Sequence, residues 1–267
     1  MNDINKQKTY FIDVQGTLID DADRLPIRGS VEFIDSLNEQ KIPYMVITNN
    51  TKHSSEEFLC YLNSIGLNIK KDHYLDPLML LESKISKDEG LAAYGTKEFL
   101  NVVVSMGYTL DYENPKTVLV SIKNDYNSEE YAQIIDFLLR GAKLVGMHET
   151  TIYAKNSKRY PGVGAILKML SFATSVSYEV VGKPSDNFYK EALSRVKKQN
   201  ETIEFGDITI ISDDVKGDLT GAAIFGMKTV FVLSGKYRHA EEIIPLLKED
   251  EKPDYVFNDM QEVMERL

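Results

Sequence analysis

A chain of 267 residues, 43% hydrophobic and 27% charged with 8 Pro and 16 Gly, has an ordinary globular composition and material for one large or two modest domains. Its 31 Lys and Arg face 41 Asp and Glu, a net charge of -10, which argues against a nucleic-acid partner or an anionic-membrane surface. No stretch approaches the ~18 apolar residues that a membrane span needs.

The opening "MNDINKQKTY" lacks the apolar run of a secretion signal, and the single cysteine, Cys60, rules out an intrachain disulfide. A reducing, cytoplasmic setting is expected. The segment "TYFIDV" reads as a strand, and "GSVEFIDSLNEQK" carries Val31, Ile34 and Leu37 at helical spacing. The strand "IPYMVIT" follows, then the helix "SSEEFLCYLNSIG", with serines at its start, Gly66 at its end and Cys60 expected as a packed thiol. From about Pro77 the pattern gives a helix, the segment "GLAAYG", the helix "TKEFLNVVVSMG" and the strand "TVLVSI". The helix "SEEYAQIIDFLLRG", the strand "AKLVG" and the helix "PGVGAILKMLSF" complete this middle region. Beyond it come "SYEVVG", the helix "SDNFYKEALSRVKKQ", the strand "ITIIS", the helix "KGDLTGAAIFG" and the strand "KTVFVLS".

Near-continuous Val and Ile runs joined by amphipathic helices describe a Rossmann-like α/β fold, a doubly wound parallel sheet covered on both faces. The middle region is large enough to bury a core of its own. The expected organisation is a discontinuous core, residues 1–76 and 179–267, with an inserted α/β domain over residues 77–178.

In an open α/β sheet, ligands bind at the carboxyl ends of the strands. Four such ends carry chemistry. The first strand delivers Asp13, Gln15 and Thr17; the second delivers Thr48, Asn49 and Asn50. "EVV" runs into Gly182, Lys183 and Pro184, and "ITIIS" ends in Asp213 and Asp214, with Asp218 following. Carboxylates gathered in one crevice repel unless a cation joins them, and hard oxygen ligands suit Mg²⁺, which typically takes one or two carboxylates plus a substrate phosphate. A lysine and Thr/Asn donors can hold the remaining phosphate oxygens, with Asp13 as a nucleophile.

The motifs "DVQGT" (13–17), "VITNN" (46–50), "GKPS" (182–185) and "SDDVKGD" (212–218), in this order, resemble those of the haloacid dehalogenase superfamily. The "TNN" form, an α/β cap between the second and third motifs, and "RYPGVGAILKML" (159–170) are similar to its class IIA phosphatases, the nitrophenylphosphatase-like and phosphoglycolate-phosphatase-like branch. The resemblance covers nearly the whole chain. It implies a hydrolase of small phosphate esters using Mg²⁺ as cofactor, and it leaves room for a homodimer. It implies Asp13 as nucleophile and metal ligand, and a second metal contact through the main-chain carbonyl of Gln15. Thr48 and Asn49 would bind the transferring phosphoryl group, while Lys183 would neutralise it and orient Asp13. Asp213 would be a metal carboxylate, and Asp218 would support the metal waters or Lys183.

One position departs from the pattern. Where the family's phosphatases carry an acid–base Asp, this chain has Gln15, and an amide can neither protonate a leaving oxygen nor deprotonate water. Such help is typically worth ~10² to 10⁴ in rate. The alternative is a catalytically weakened relative that binds a phosphorylated ligand or a protein partner. A dehalogenase is disfavoured, because Lys183, Asp213 and the cap speak for phosphate and magnesium. "VGKPS" lacks the spacing of a Walker loop, and "PGVGA" reads as helix-start packing. His53, His73, His148 and His239 show no metal-ligand spacing and are expected at the surface or at caps; Lys155, Lys158 and Arg159 read as a solvated face, the alternative being a cluster that attracts an anionic substrate.

Overall fold

The computed structural model describes residues 9–155 and 158–266, without the side chains of Ala154 and Lys155. Two units divide the chain: Met1–Thr48, Glu57–Leu75 and Tyr189–Leu267 form the first, and Asn49–Glu56 with Asp76–Phe188 form the second.

The first unit is built on a six-stranded sheet. Its strands are β1 (Thr9–Ile12), β2 (Tyr44–Ile47), β3 (Tyr74–Leu75), β10 (Ile208–Ser212), β11 (Lys228–Val232) and β12 (Tyr255–Phe257). Their order is β12-β11-β10-β1-β2-β3, and every neighbouring pair is parallel. Phe11, Ile12, Ile210, Ile211, Val230 and Phe231 are fully buried, as the unbroken apolar runs require of a sheet covered on both faces. Each such side chain contributes about 1.5–3 kcal/mol of burial. Helix α1 (Ser30–Gln40) buries Phe33, Ile34 and Leu37. Helix α2 (Ser55–Ser64) buries Phe58, Leu59 and Leu62, a stripe that leaves Cys60 on the opposite side. The expected packed thiol is therefore corrected: Cys60 is exposed.

The second unit carries a four-stranded parallel sheet in the order β4-β5-β6-β9 and a small antiparallel hairpin. Its strands are β4 (Leu91–Tyr94), β5 (Thr117–Val120), β6 (Lys143–Gly146) and β9 (Tyr178–Val180); β7 (Ile152–Lys155) and β8 (Lys158–Pro161) make the hairpin. The period of two sorts the strand residues cleanly. Leu91, Ala93, Leu119 and Val145 pack with Phe99, Val102 and Val103 of α3 (Lys97–Ser105). Ala92, Tyr94, Val118, Val120 and Leu144 pack with α4 (Ser128–Leu139) and α5 (Val163–Thr174). "SYEVVG", counted with the core from sequence, pairs with β6 instead, and Tyr178 and Val180 pack on the α4–α5 side.

Three further expectations are corrected. The segment from Pro77 is a 3₁₀ helix, Pro77–Ser83, started by the Asp76 carboxylate accepting from the Met79 N–H. "KGDLTGAAIFG" is a π-helical turn, Val215–Leu219, running into the short helix α7 (Thr220–Ile224). Two histidines are buried rather than superficial. His73 packs edge-on against Tyr44, and the Nδ1 of His148, just after β6, lies 2.9 Å from the Thr150 hydroxyl. Lys158 and Arg159 are exposed, whereas the Lys155 side chain lies outside the described residues. Among the described residues no helix is long and apolar enough to cross a membrane.

Gln199, just beyond helix α6 (Asp186–Lys197), acts as one rung of a ladder at the start of β2. Its side chain accepts from the Tyr44 N–H at 3.1 Å and donates to the Tyr44 carbonyl at 2.9 Å. Tyr44 is fully buried, so neither main-chain group has water as a substitute. Gln199→Ala is expected to cost about 1–3 kcal/mol, the penalty of buried groups left unpaired, read as a lowered urea midpoint. An unchanged midpoint would show that the rung carries no stability.

Candidate active site

The strand order reverses at β1: the chain moves outward through β2 and β3, then returns to place β10 on the other side of β1. The parallel register sets Ile12 level with Ile211, so the first and fourth motifs leave the sheet side by side. Asp13 donates its N–H to the Ile211 carbonyl at 2.9 Å. Asp13 and Asp213 are each only 6% exposed.

Thr17 links the two. Its hydroxyl donates to Asp13 Oδ2 at 3.4 Å and accepts from the Asp213 N–H at 3.1 Å. Gly16, with φ +76°, forms the turn that brings Thr17 back toward the strand end. Asp213 Oδ2 lies in a cradle of backbone: a Cβ on Gly16 would stand 2.3 Å from it, and one on Gly235 only 2.1 Å. The Lys236 N–H donates to the same oxygen at 2.6 Å. Burial, then the Asp13 and Asp214 carboxylates, hold the Asp213 carboxyl well above the usual carboxylate range, against the pull of Lys236.

The remaining first-unit residues fall around this pair. Gln15 is half-buried, and its Oε1 accepts from the Thr48 hydroxyl at 2.8 Å, joining the first and second motifs. Asp218 Oδ2 accepts from the Ser212 hydroxyl at 2.7 Å, and its carbonyl accepts from the Tyr189 hydroxyl at 2.9 Å. Asp214 accepts the Gly217 N–H at 2.9 Å as the cap of the π-turn, and its other oxygen meets the Lys236 ammonium at 2.6 Å. Burial works against the Lys236 ammonium, but the Asp214 carboxylate with Asp213 and Asp218 together outweigh it and raise the pKa above the ordinary lysine value.

Asn49 and Lys183 belong to the second unit. There the Lys183 N–H donates to Asn49 Oδ1 at 3.0 Å, joining the second and third motifs, and Lys183 is 1% exposed. Gly182 is required beside it, because a Cβ there would fall 2.6 Å from Asn49 Oδ1 and 2.7 Å from the Met147 carbonyl.

Among the described residues no three His, Cys, Asp or Glu side chains form a metal-holding group. The Asp13–Asp213 pair nonetheless fits a hard divalent cation. It offers two buried carboxylates whose mutual repulsion a cation relieves, hard oxygen donors of the kind that suit Mg²⁺.

Residues 233–238 escaped the sequence reading. The signal was available, since "KTVFVLS" is a fifth strand end and delivers Ser234, Gly235 and Lys236 to the same edge.

The profile of the haloacid dehalogenase-like hydrolases matches residues 10–109, and a second, HAD-hydrolase-like profile matches residues 180–263. This chain belongs to the haloacid dehalogenase-like hydrolases. Within that family it is similar to the acid sugar phosphatase of Staphylococcus haemolyticus, 25% identical, with 97% of this chain and 96% of the relative covered. The human phospholysine phosphohistidine inorganic pyrophosphate phosphatase is 28% identical over 90% of this chain and 87% of its own. In fold it matches the p-nitrophenyl phosphatase from Archaeoglobus fulgidus with a TM-score of 0.81 and 25% identity, covering 98% of this chain and all of that one. The chain is a haloacid dehalogenase-type phosphatase of this group.

The cradle gives a test of the geometry. Gly235→Ala forces its Cβ into Asp213 Oδ2 and the Gly16 backbone. A displacement on the order of 1 Å at such a site costs about 10²-fold in rate, and that loss is expected in kcat for p-nitrophenyl phosphate. Full turnover in a folded Gly235→Ala protein would show that the close approach is dispensable.

Proposed function

We propose that this phosphatase is Mg²⁺-dependent, acts on a small phosphorylated metabolite and forms an aspartyl phosphate on Asp13. The supporting observation is the pair of buried carboxylates at neighbouring strand ends, Asp13 and Asp213, bridged by Thr17. In this reading the second unit is the substrate-covering domain. Asp13, Asp213 and the Gln15 carbonyl would hold the cation, with Asp218 supporting its waters or Lys183. When bound, the cation neutralises charge on the phosphoryl oxygens.

Asp13 attacks phosphorus through a carboxylate oxygen, and the ester oxygen departs with its electron pair. Thr48 and Asn49 are assigned to the phosphoryl oxygens and Lys183 to their charge, as the motif order implies. Water then attacks the acyl phosphate and returns the free carboxylate with inorganic phosphate. Gln15 supplies no proton at either stage, and its amide is hydrogen-bonded to Thr48. Leaving groups that depart unaided are therefore favoured, and aryl or acyl phosphates should outrun alkyl ones. Sugar phosphates and nitrophenyl phosphate, for which two of the relatives are named, lie within this small-ester class.

The Gln15–Thr48 bond also favours a second reading, in which the site binds a phosphorylated ligand or a protein partner and turns over little. The two readings separate on the nucleophile and the acid–base position. Chelation with EDTA is expected to abolish hydrolysis and Mg²⁺ to restore it, while Asp13→Asn removes turnover and leaves the fold intact. Activity that survives EDTA, or a phosphoryl group trapped on a residue other than Asp13, contradicts the mechanism.

Gln15→Asp should raise kcat by about 10-fold or more, most for an alkyl phosphate, given the usual size of acid–base catalysis. The comparison is kcat for one alkyl and one aryl phosphate in both forms. A folded, Mg²⁺-binding Asp variant with no gain on either favours the binding role.

A further inference from the structure

Asn49 and Lys183, both assigned to the phosphoryl group, belong to the second unit, and so does a carboxylate that none of the four motifs contains. Asp76 is fully buried. Its Oδ1 accepts from the Ser55 hydroxyl at 2.8 Å and from the Met79 N–H at 3.2 Å. Its Oδ2 stands 3.5 Å from Asn50 Nδ2, an amide that also donates to the His53 carbonyl at 2.8 Å. The segment from Asn50 to Ser55 is therefore held to Asp76 at both of its ends.

These contacts close a ring through the second and third motifs. Asn50 follows Asn49, whose Oδ1 accepts from the Lys183 N–H at 3.0 Å. Gly182 precedes Lys183, and a Cβ there would stand 2.5 Å from Pro77 Cγ. Pro77 in turn follows Asp76. A shift at Asp76 thus reaches Asn49 from one side and Lys183 from the other.

Capping alone does not account for a carboxylate at this position. Serine or asparagine starts a helix about as well, and a buried charge is costly unless donors converge on it. Three donors do so here. Hydrogen bonds to an ionised carboxylate are roughly twice as strong as those to a neutral acceptor. That added strength falls on the loop that carries Asn49.

We propose that Asp76 is a positioning residue of the phosphoryl site, holding Asn49 and the Lys183 main chain at a fixed spacing before substrate arrives. The inference rests on the reading of Asn49 and Lys183 as phosphoryl-binding groups. Asp76 acts through Asn50 and Pro77 rather than on the phosphoryl group itself.

The experiment measures the Kd of inorganic phosphate by ³¹P line broadening in the full-length protein with Mg²⁺, a readout that needs no turnover. A loss of folded molecules lowers activity and leaves Kd where it was, so this readout separates positioning from stability. Asp76→Ala should raise Kd about 10-fold or more, the usual weight of one hydrogen bond to a charged group. Asp76→Asn keeps an oxygen for Ser55 and the Met79 N–H, should also raise Kd, and decides the matter where the alanine variant does not fold. Asn49→Ala should raise Kd by itself. Adding Asp76→Ala to it should then cost less than in the wild type, because one of the groups that Asp76 positions is gone. An unchanged Kd in the folded Asp76 variant overturns the role of Asp76 and leaves the phosphoryl reading standing. An equal cost in the two backgrounds shows that Asp76 does not act through Asn49, and overturns the proposal. Failure of both Asp76 variants to fold also overturns it, making Asp76 a stability residue. A wild type that binds no phosphate overturns the phosphoryl reading itself, and this inference with it.

Discussion

The parallel pairing of β1 with β10 is the constraint on which the first unit's chemistry depends. Asp13 stands one position beyond the paired Ile12 and Asp213 two beyond the paired Ile211, so the parallel register brings both carboxylates to one edge of the sheet. Burying them together is unfavourable, and the surrounding structure answers that cost piece by piece. Thr17 offers its hydroxyl to one and its oxygen to the N–H of the other, and Gly16 and Gly235 let backbone close over Asp213 without a side chain between. Lys236 takes the charge of Asp214. The reversal of strand order at β1 opens the crevice that makes such an arrangement useful.

Much of this was legible in the sequence, because buried parallel strands write themselves as unbroken apolar runs. "TYFI" and "ITIIS" end where Asp13 and Asp213 begin, and the rule that ligands gather at strand ends does the rest. What stayed hidden depended on partners remote in the chain. Cys60 was read from a generally apolar stretch, yet one step around a helix separates it from buried Leu59. The strand end of "KTVFVLS" marks the edge to which "SGKYR" is delivered, but not that it closes over Asp213; the return of β11 beside β10 decides that. Sequence placed "SYEVVG" with the wrong sheet for a similar reason. Its apolar pattern specifies a strand and says nothing of which neighbour pairs with it.

Gln15 shows how a site can keep its architecture while one functional group changes. Glutamine is one methylene longer than aspartate, and its half-buried amide is anchored to the Thr48 hydroxyl. The first and second motifs are thereby tied through a neutral hydrogen bond where a carboxylate would have added a further negative charge. The substitution lowers the charge density at a crowded edge, and the proton chemistry is what it gives up.

The interleaving of the two units also bears on how the chain is made. Every strand of the second unit lies between residues 91 and 180, whereas β1 must wait for β10, and Tyr44 for Gln199. During synthesis, at about 5–20 residues per second, β1 and β2 leave the ribosome on the order of ten seconds before their later partners. Through that interval these buried strands have one another and β3, but an open edge on β1. The middle of the chain can complete its own sheet in the meantime. The order of emergence thus lets the inserted unit complete its sheet before the first unit can, and leaves nascent β1 as the open edge that chaperones would shelter.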